Sequence, residues 1–126
     1  MNTPDLPASA LPPALSAALD EARALAGRGW SSPAAATVDE ARRLLELVNA
    51  AGWRVPTTVQ AEPDGSLSLE WDAGARGWLQ FSVMGSGQLA HSAVIEGDEY
   101  AQDEAFAEHL PDWADALLRR LLGAGH

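Results

Sequence analysis

The chain reads as an α+β domain in the order α-α-β-β-β-β-α, a four-stranded antiparallel meander with helices packed mainly on one face. Three observations predict this. Two amphipathic stripes of helical period occupy the first part, period-two alternation between Gly-rich turns fills the middle, and a third amphipathic stripe lies near the end. Because helices and strands segregate along the chain, the helices should pack on one face of an antiparallel sheet.

Met1 to Leu11 carries Pro4 and Pro7 and has no periodicity, so it reads as a flexible arm, residues 1–11, ahead of a single domain over 12–126. Pro12 and Pro13 suit a first helical turn. Leu15, Ala18, Leu19, Ala22 and Leu25 then recur at helical spacing, which predicts a helix from about Pro13 to Ala26, stopped by Gly27 and Gly29. Trp30 to Ala36 is a connector whose Trp30 is expected to pack back on the core. Thr37 with Glu40 has the spacing of a capping box, and Val38, Ala41, Leu44, Leu45 and Val48 give a second apolar stripe that ends at Gly52.

Beyond Gly52 the period changes to two. Val55-Pro56 leads into a strand over Thr57 to Ala61, which its proline confines to a strand start or an edge. Glu62-Pro63-Asp64-Gly65 is a tight turn. Leu67, Leu69 and Trp71 alternate with Ser68, Glu70 and Asp72, the pattern of a strand with one face in water. Leu79, Phe81 and Val83 repeat it, and Gly85-Ser86-Gly87 turns the chain into a fourth strand over Gln88 to Glu96. Gly97 to His109 is acidic, weakly patterned and expected to be a solvated loop. Leu110, Ala114, Leu117, Leu118 and Leu121 form the last stripe, with Asp112 and Asp115 near its start and Arg119 and Arg120 near its end, matching the helix dipole.

Composition narrows the functional classes. A chain of 126 residues removes roughly two thirds of its unfolded surface from water on folding, enough to hold without metal or disulfide. Its 18 acidic and 8 basic residues, the latter all Arg, leave a formal charge of −10, which disfavours nucleic acid as a partner. With no cysteine, disulfide scaffolds, thiolate nucleophiles and Cys-ligated zinc are excluded. No apolar run approaches the ~18 residues of a membrane span, and no leader pattern opens the chain, so a cytoplasmic protein without membrane contact is expected. Arg-only, Ala-rich usage fits a GC-rich bacterial genome.

Each candidate for chemistry has a plainer counterpart. Gly85-Ser86-Gly87-Gln88-Leu89-Ala90 has the glycine spacing of a dinucleotide fingerprint, but the alternation of Leu89, His91, Ala93 and Ile95 predicts a strand where a phosphate would need a helix N-terminus. A hairpin turn is the better reading. Ser86 lacks the spacing of a nucleophile elbow, and His91, His109 and His126 form no metal-ligand pair. The acids Glu96, Asp98, Glu99, Asp103, Glu104 and Glu108 lack the oxygen-ligand pattern of a calcium loop. No cofactor and no catalytic residue is therefore assigned. Trp78 and Trp71 flank one turn and, with Trp53 and Trp113, could line an exposed binding patch or a small-molecule pocket with His91 or a strand-end carboxylate as its polar group, although Trp71 shares a face with Leu67 and Leu69 and belongs to the core.

Trp30 after a glycine, the Ala41 to Val48 helix, the stretch Pro63-Asp64-Gly65-Ser66-Leu67-Ser68-Leu69-Glu70-Trp71, and Leu110-Pro111 opening a Leu-rich helix resemble a widespread group of short, uncharacterised bacterial proteins. The resemblance spans Trp30 to Leu122 and implies an α+β fold without bringing an activity. Ser31-Ser32 departs from the Asp-Gly that often follows that Trp in the group. In size, charge and α+β mixture the chain also resembles the small acidic chaperones of type III secretion, without their helix between the third and fourth strands.

The resulting expectation is a non-enzymatic acidic module that binds a protein partner with a basic surface, through Trp78, His91, Glu96, Asp98, Glu99, Asp103 and Glu104. The alternative is a small-molecule binder or minor enzyme with a Trp-lined pocket. A homodimer is possible, with Val55 to Ala61 as the pairing edge, because Thr57, Thr58 and Val59 carry no charge to deter a second chain.

Overall fold

The computed structural model describes residues 11–106 and 109–123. The expected arm, but for Leu11, and Glu108 and His126 lie outside them. Helix α1 spans Pro13–Leu25 with proline in its first turn, and continues as a 3₁₀ turn over Ala26–Arg28 that ends at Gly29 in the left-handed region. Helix α2 spans Ala35–Ala50. Five strands follow, β1 Thr58–Ala61, β2 Leu67–Asp72, β3 Gly77–Val83, β4 Gln88–Ile95 and β5 Asp98–Ala105, and helix α3, Asp112–Leu122, comes last.

The sheet is antiparallel throughout, in the order β1-β2-β3-β4-β5. It has five strands, and the acidic segment expected to be a loop forms the fifth. Glu96 and Gly97 both have positive φ, 52° and 89°, and make the two-residue reversal typical of a type I′ hairpin. β5 escapes a hydrophobic reading because most of its side chains are exposed on both faces, so the apolar half of the alternation is missing.

Register decides which residues are buried. Leu67, Leu69 and Trp71 of β2 stand opposite Val83, Phe81 and Leu79 of β3, and all six are essentially inaccessible. They meet Leu15 and Ala22 of α1, Ala41, Leu44 and Val48 of α2, and Ala114, Leu118 and Leu121 of α3 in one core. α1 crosses β1, α2 crosses β2 and β3, and α3 lies over β3. Each fully buried large side chain contributes about 1.5–3 kcal/mol relative to exposure. Trp71 meets Phe81 edge-on at 5.5 Å, and its Nε1 donates to the Arg54 carbonyl at 3.0 Å, so its burial leaves no donor unpaired.

Two local expectations are corrected. Thr37 and Glu40 do not form a capping box, since α2 begins two residues earlier, after Ala34, without a side-chain cap. Glu40 is instead 8% exposed, and its two carboxylate oxygens accept the backbone N–H groups of Gly85 and Gly87, each at 2.8 Å. Both glycines have positive φ, and a Cβ on Gly85 would come within 2.9 Å of Thr37 Oγ1. The Gly-Ser-Gly stretch is thus a hairpin turn whose amide donors are held by a helix. Ser68, expected to face water, is 4% exposed, because its hydroxyl is covered by the Glu62 carboxylate, to which it donates at 2.8 Å.

Candidate binding surface

Cross-strand pairing sorts the remaining strand residues onto the second face. One row runs Asp72, Trp78, Val94, Glu99, and the next runs Thr58, Glu70, Gln80, Ser92, Ala101. A third joins Ser68, Ser82, Ala90 and Asp103. The helices pack on the opposite face, so among the described residues this face stays open, with half-buried Trp78 and Val94 side by side between exposed Asp72 and Glu99, and Asp103 exposed two rows away. A shallow depression of about 470 Å³ lies there, with Trp78, Val94, Glu99 and Ala101 among its lining.

The charge is unevenly distributed. Every acidic strand residue, Glu70 and Asp72 on β2 and Asp98, Glu99, Asp103 and Glu104 on β5, belongs to a sheet that carries no arginine. The arginines are on the helices, the 3₁₀ turns over Ala26–Arg28 and Gly74–Arg76, and the connector after α2. Several are engaged locally: Arg42 pairs with Asp39 and with Glu46, Arg43 with Asp39, and Arg119 with Asp115. The hydrogen bonds that Arg42 donates, to Asp39 first and then to Glu46, hold it above its ordinary pKa.

The sequence-derived surface residues divide into two groups. Trp78, Glu99 and Asp103 share the open face. His91, Asp98 and Glu104 point to the helical side, and Glu96 sits in the β4–β5 turn. His91 stands between Phe81 and Gln102 in its row, under the Trp113 ring, with centroids 4.4 Å apart and planes tilted by 32°. Burial outweighs the nearby Glu104 and Asp103 charges and lowers the His91 pKa below its ordinary 6.5. Its Nδ1 is buried with no hydrogen-bond partner among the described residues. A cleft of about 330 Å³ opens beside it, between β5 and α3, lined by Tyr100, Gln102, Glu104, Trp113, Leu117 and Arg120.

Arg120 closes one end of that cleft. It donates to Asp98 at 2.6 Å, bonds the Tyr100 hydroxyl, and lies 3.7 Å from Glu96; the Asp98 hydrogen bond is the main reason its pKa is raised. Trp53 lines no part of this cleft. It is 4% exposed, and its Nε1 donates to Asp115 at 2.7 Å, tying the end of α2 to α3. His109 is exposed ahead of α3. Among the described residues, no group of three or more His, Asp or Glu could hold a metal ion, and no helix is long and apolar enough to cross a membrane.

Val94, Ala101 and Asp72 join the open face although the acidic run alone does not point to them. The alternation of β2 and β3 signals that face, but the part that β5 adds to it is invisible without the β4–β5 register. No family model matches the chain, and neither a curated protein nor a solved structure matches it.

Proposed function

We propose that the protein is a non-enzymatic interaction module that takes a basic protein partner on the open face of its sheet. One observation carries this reading: the face around Trp78 and Val94 is uncovered by helix, and its charges, Glu70, Asp72, Glu99 and Asp103, are all acidic. An apolar pair flanked by charge of one sign suits a partner of opposite sign, steered in at long range and seated on the aromatic ring. Arginine on the partner has a further advantage, because guanidinium stacks on indole.

The test is binding of an Arg-rich peptide at low and at physiological salt, to the wild type and to Trp78→Ala and Glu70→Arg. Affinity is expected to fall with salt and to fall about tenfold or more, or ~1.4 kcal/mol, in each variant. Equal affinity in all three proteins removes the open face from the interaction. A reproducible turnover in an activity screen, with no peptide bound at low salt, overturns the reading.

A second reading rests on the His91 cleft. The unpartnered Nδ1 beside Trp113, in a cleft of small-ligand size, favours a planar ligand stacked at the aromatic wall. A metabolite screen by thermal shift checks it: a rise in melting temperature that disappears in His91→Ala supports the cleft, and the absence of any rise removes it.

A further inference from the structure

The outer edge of β5 offers a more specific mode of recognition, which rests on the proposal that the partner is a basic protein. We infer that β5 accepts an extended, basic segment of that partner as a sixth strand, joined main chain to main chain.

The direction of each backbone group on β5 follows from the hairpin that precedes it. In a two-residue hairpin the residues flanking the loop, here Ile95 and Asp98, exchange both of their hydrogen bonds, and such pairs recur at every second residue. The series Ile95 with Asp98, Ala93 with Tyr100, His91 with Gln102 and Leu89 with Glu104 therefore turns these β5 amides inward. The Phe106 N–H donating to the Gly87 carbonyl at 2.8 Å continues the same series by one step. The N–H and C=O groups of Glu99, Ala101, Asp103 and Ala105 consequently point away from β4. Among the described residues β5 is the last strand of the sheet, and all four residues are exposed. The edge contains no proline and is as long as β4, so neither of the usual backbone devices for blunting an edge is present.

Charge selects the occupant. A second copy pairing antiparallel about Ala101 would set Glu99 against Asp103 and Asp98 against Glu104, acid against acid at each of these positions, and like charges directly opposite are destabilising. A basic strand reverses the sign of those contacts. Glu99 and Asp103 are four residues apart with Ala101 between them, all three side chains on the open face. The matching segment thus carries Arg or Lys at positions i and i+4 and a small residue at i+2. The pairing gives affinity through backbone hydrogen bonds, and the alternate side chains give specificity. The opposite edge is a poorer template, because β1 has only four residues and follows Pro56.

The probe is the peptide Thr-Arg-Val-Ala-Val-Arg-Thr, titrated into the full chain at low salt and followed by amide NMR. Binding is expected to shift the Glu99, Ala101 and Asp103 amides, the outward amides that a seven-residue strand reaches with its arginines opposite Glu99 and Asp103, and to slow their hydrogen exchange. N-methylation at the two Arg and the Ala, whose N–H groups face β5 in this register, is expected to weaken binding at least about tenfold. N-methylation at the two Val, whose N–H groups face away, leaves it unchanged. The double variant Glu99→Lys/Asp103→Lys, altered only at exposed side chains, loses the unmodified peptide. If both methylated peptides bind as well as the parent and Trp78→Ala still weakens them, the edge inference fails while the open-face proposal stands. If neither the parent nor any Arg-rich peptide binds, both fail. A concentration-dependent dimer with protected β5 amides would show that a second copy fills the edge and overturns the inference.

Discussion

The two faces of the sheet are made by the same strands, residue by alternate residue, yet one is a core and the other a charged surface. Across β2 and β3, Leu69 faces Phe81 on the helical side, while their neighbours Glu70 and Gln80 face each other on the other. The difference lies in what covers them. Three helices bring Leu15, Leu44 and Leu118 down on the first face, whereas on the second, Trp78 and Val94 are left half-buried among carboxylates. Substitutions on the first face should therefore register as lost stability, and those on the second as lost binding.

The sharpest contrast is expected from Phe81→Ala against Gln80→Ala. The first removes a fully buried ring that touches both Trp71 and Trp113 and is expected to cost about 3–5 kcal/mol; the second should stay within about 0.5 kcal/mol. Urea unfolding measures both, and similar losses would collapse the distinction between the faces.

A smaller effect is expected at Glu40, which serves the helical side from its margin. Glu40→Ala leaves the Gly85 and Gly87 amides without their acceptor and should cost about 1–3 kcal/mol. Glu40→Gln keeps one oxygen acceptor and should lose less. Faster hydrogen exchange at the two glycine amides checks the cause, and unchanged exchange in Glu40→Ala would remove the carboxylate from that role.

His91 should make the covered face sensitive to pH. Its folded pKa is depressed, chiefly by burial, so between the folded and unfolded values the unfolded chain binds more protons and stability rises with pH. The contribution is fully present above the ordinary 6.5 and is lost as pH falls through the lower folded value. Denaturation midpoints at pH 7.5 and at mildly acidic pH should differ less in His91→Asn than in the wild type; an identical difference assigns the dependence to other groups.

A small stability change is also expected for Trp78→Ala, within about 1 kcal/mol, although the same change should weaken a basic partner about tenfold. A large loss of stability with intact binding would make Trp78 a packing residue and reverse its assignment.

The helical side was largely legible in the sequence. Leu67, Leu69 and Trp71, and Leu79, Phe81 and Val83, alternate cleanly because one face of each strand is buried and the other is not. The stripes of α1, α2 and α3 likewise follow from burial of one side, and Trp71 packs with Leu67 and Leu69 as its spacing indicates. β5 was not legible, because an edge strand with exposed side chains on both faces has no apolar period to detect, and only Glu96-Gly97 marked the reversal before it. Glu40 was misread for a different reason. Its local spacing to Thr37 is that of a cap, whereas its partners lie 45 and 47 residues away, a relation that no window along the chain contains. The split between His91 and Trp78, by contrast, is local: His91 keeps the phase of Leu89, Ala93 and Ile95, Trp78 is out of phase with Leu79 and Phe81, and the pleat sends them to opposite faces.

The order in which this fold can assemble follows from the Glu40 contact. Every strand pairs with the one before it, so each hairpin closes a short loop at small entropic cost and can form early. The carboxylate of Glu40, by contrast, has nothing to grip until the β3–β4 turn has presented both of its amides. During synthesis, α1 and α2 are complete while the surface they must cover is still being made. We therefore expect the clamp to close after the main folding barrier, so that Glu40→Gln accelerates unfolding while leaving the refolding rate nearly unchanged. Stopped-flow chevrons measure the two limbs separately; a slowed refolding limb instead would place α2 and the turn together in the folding nucleus.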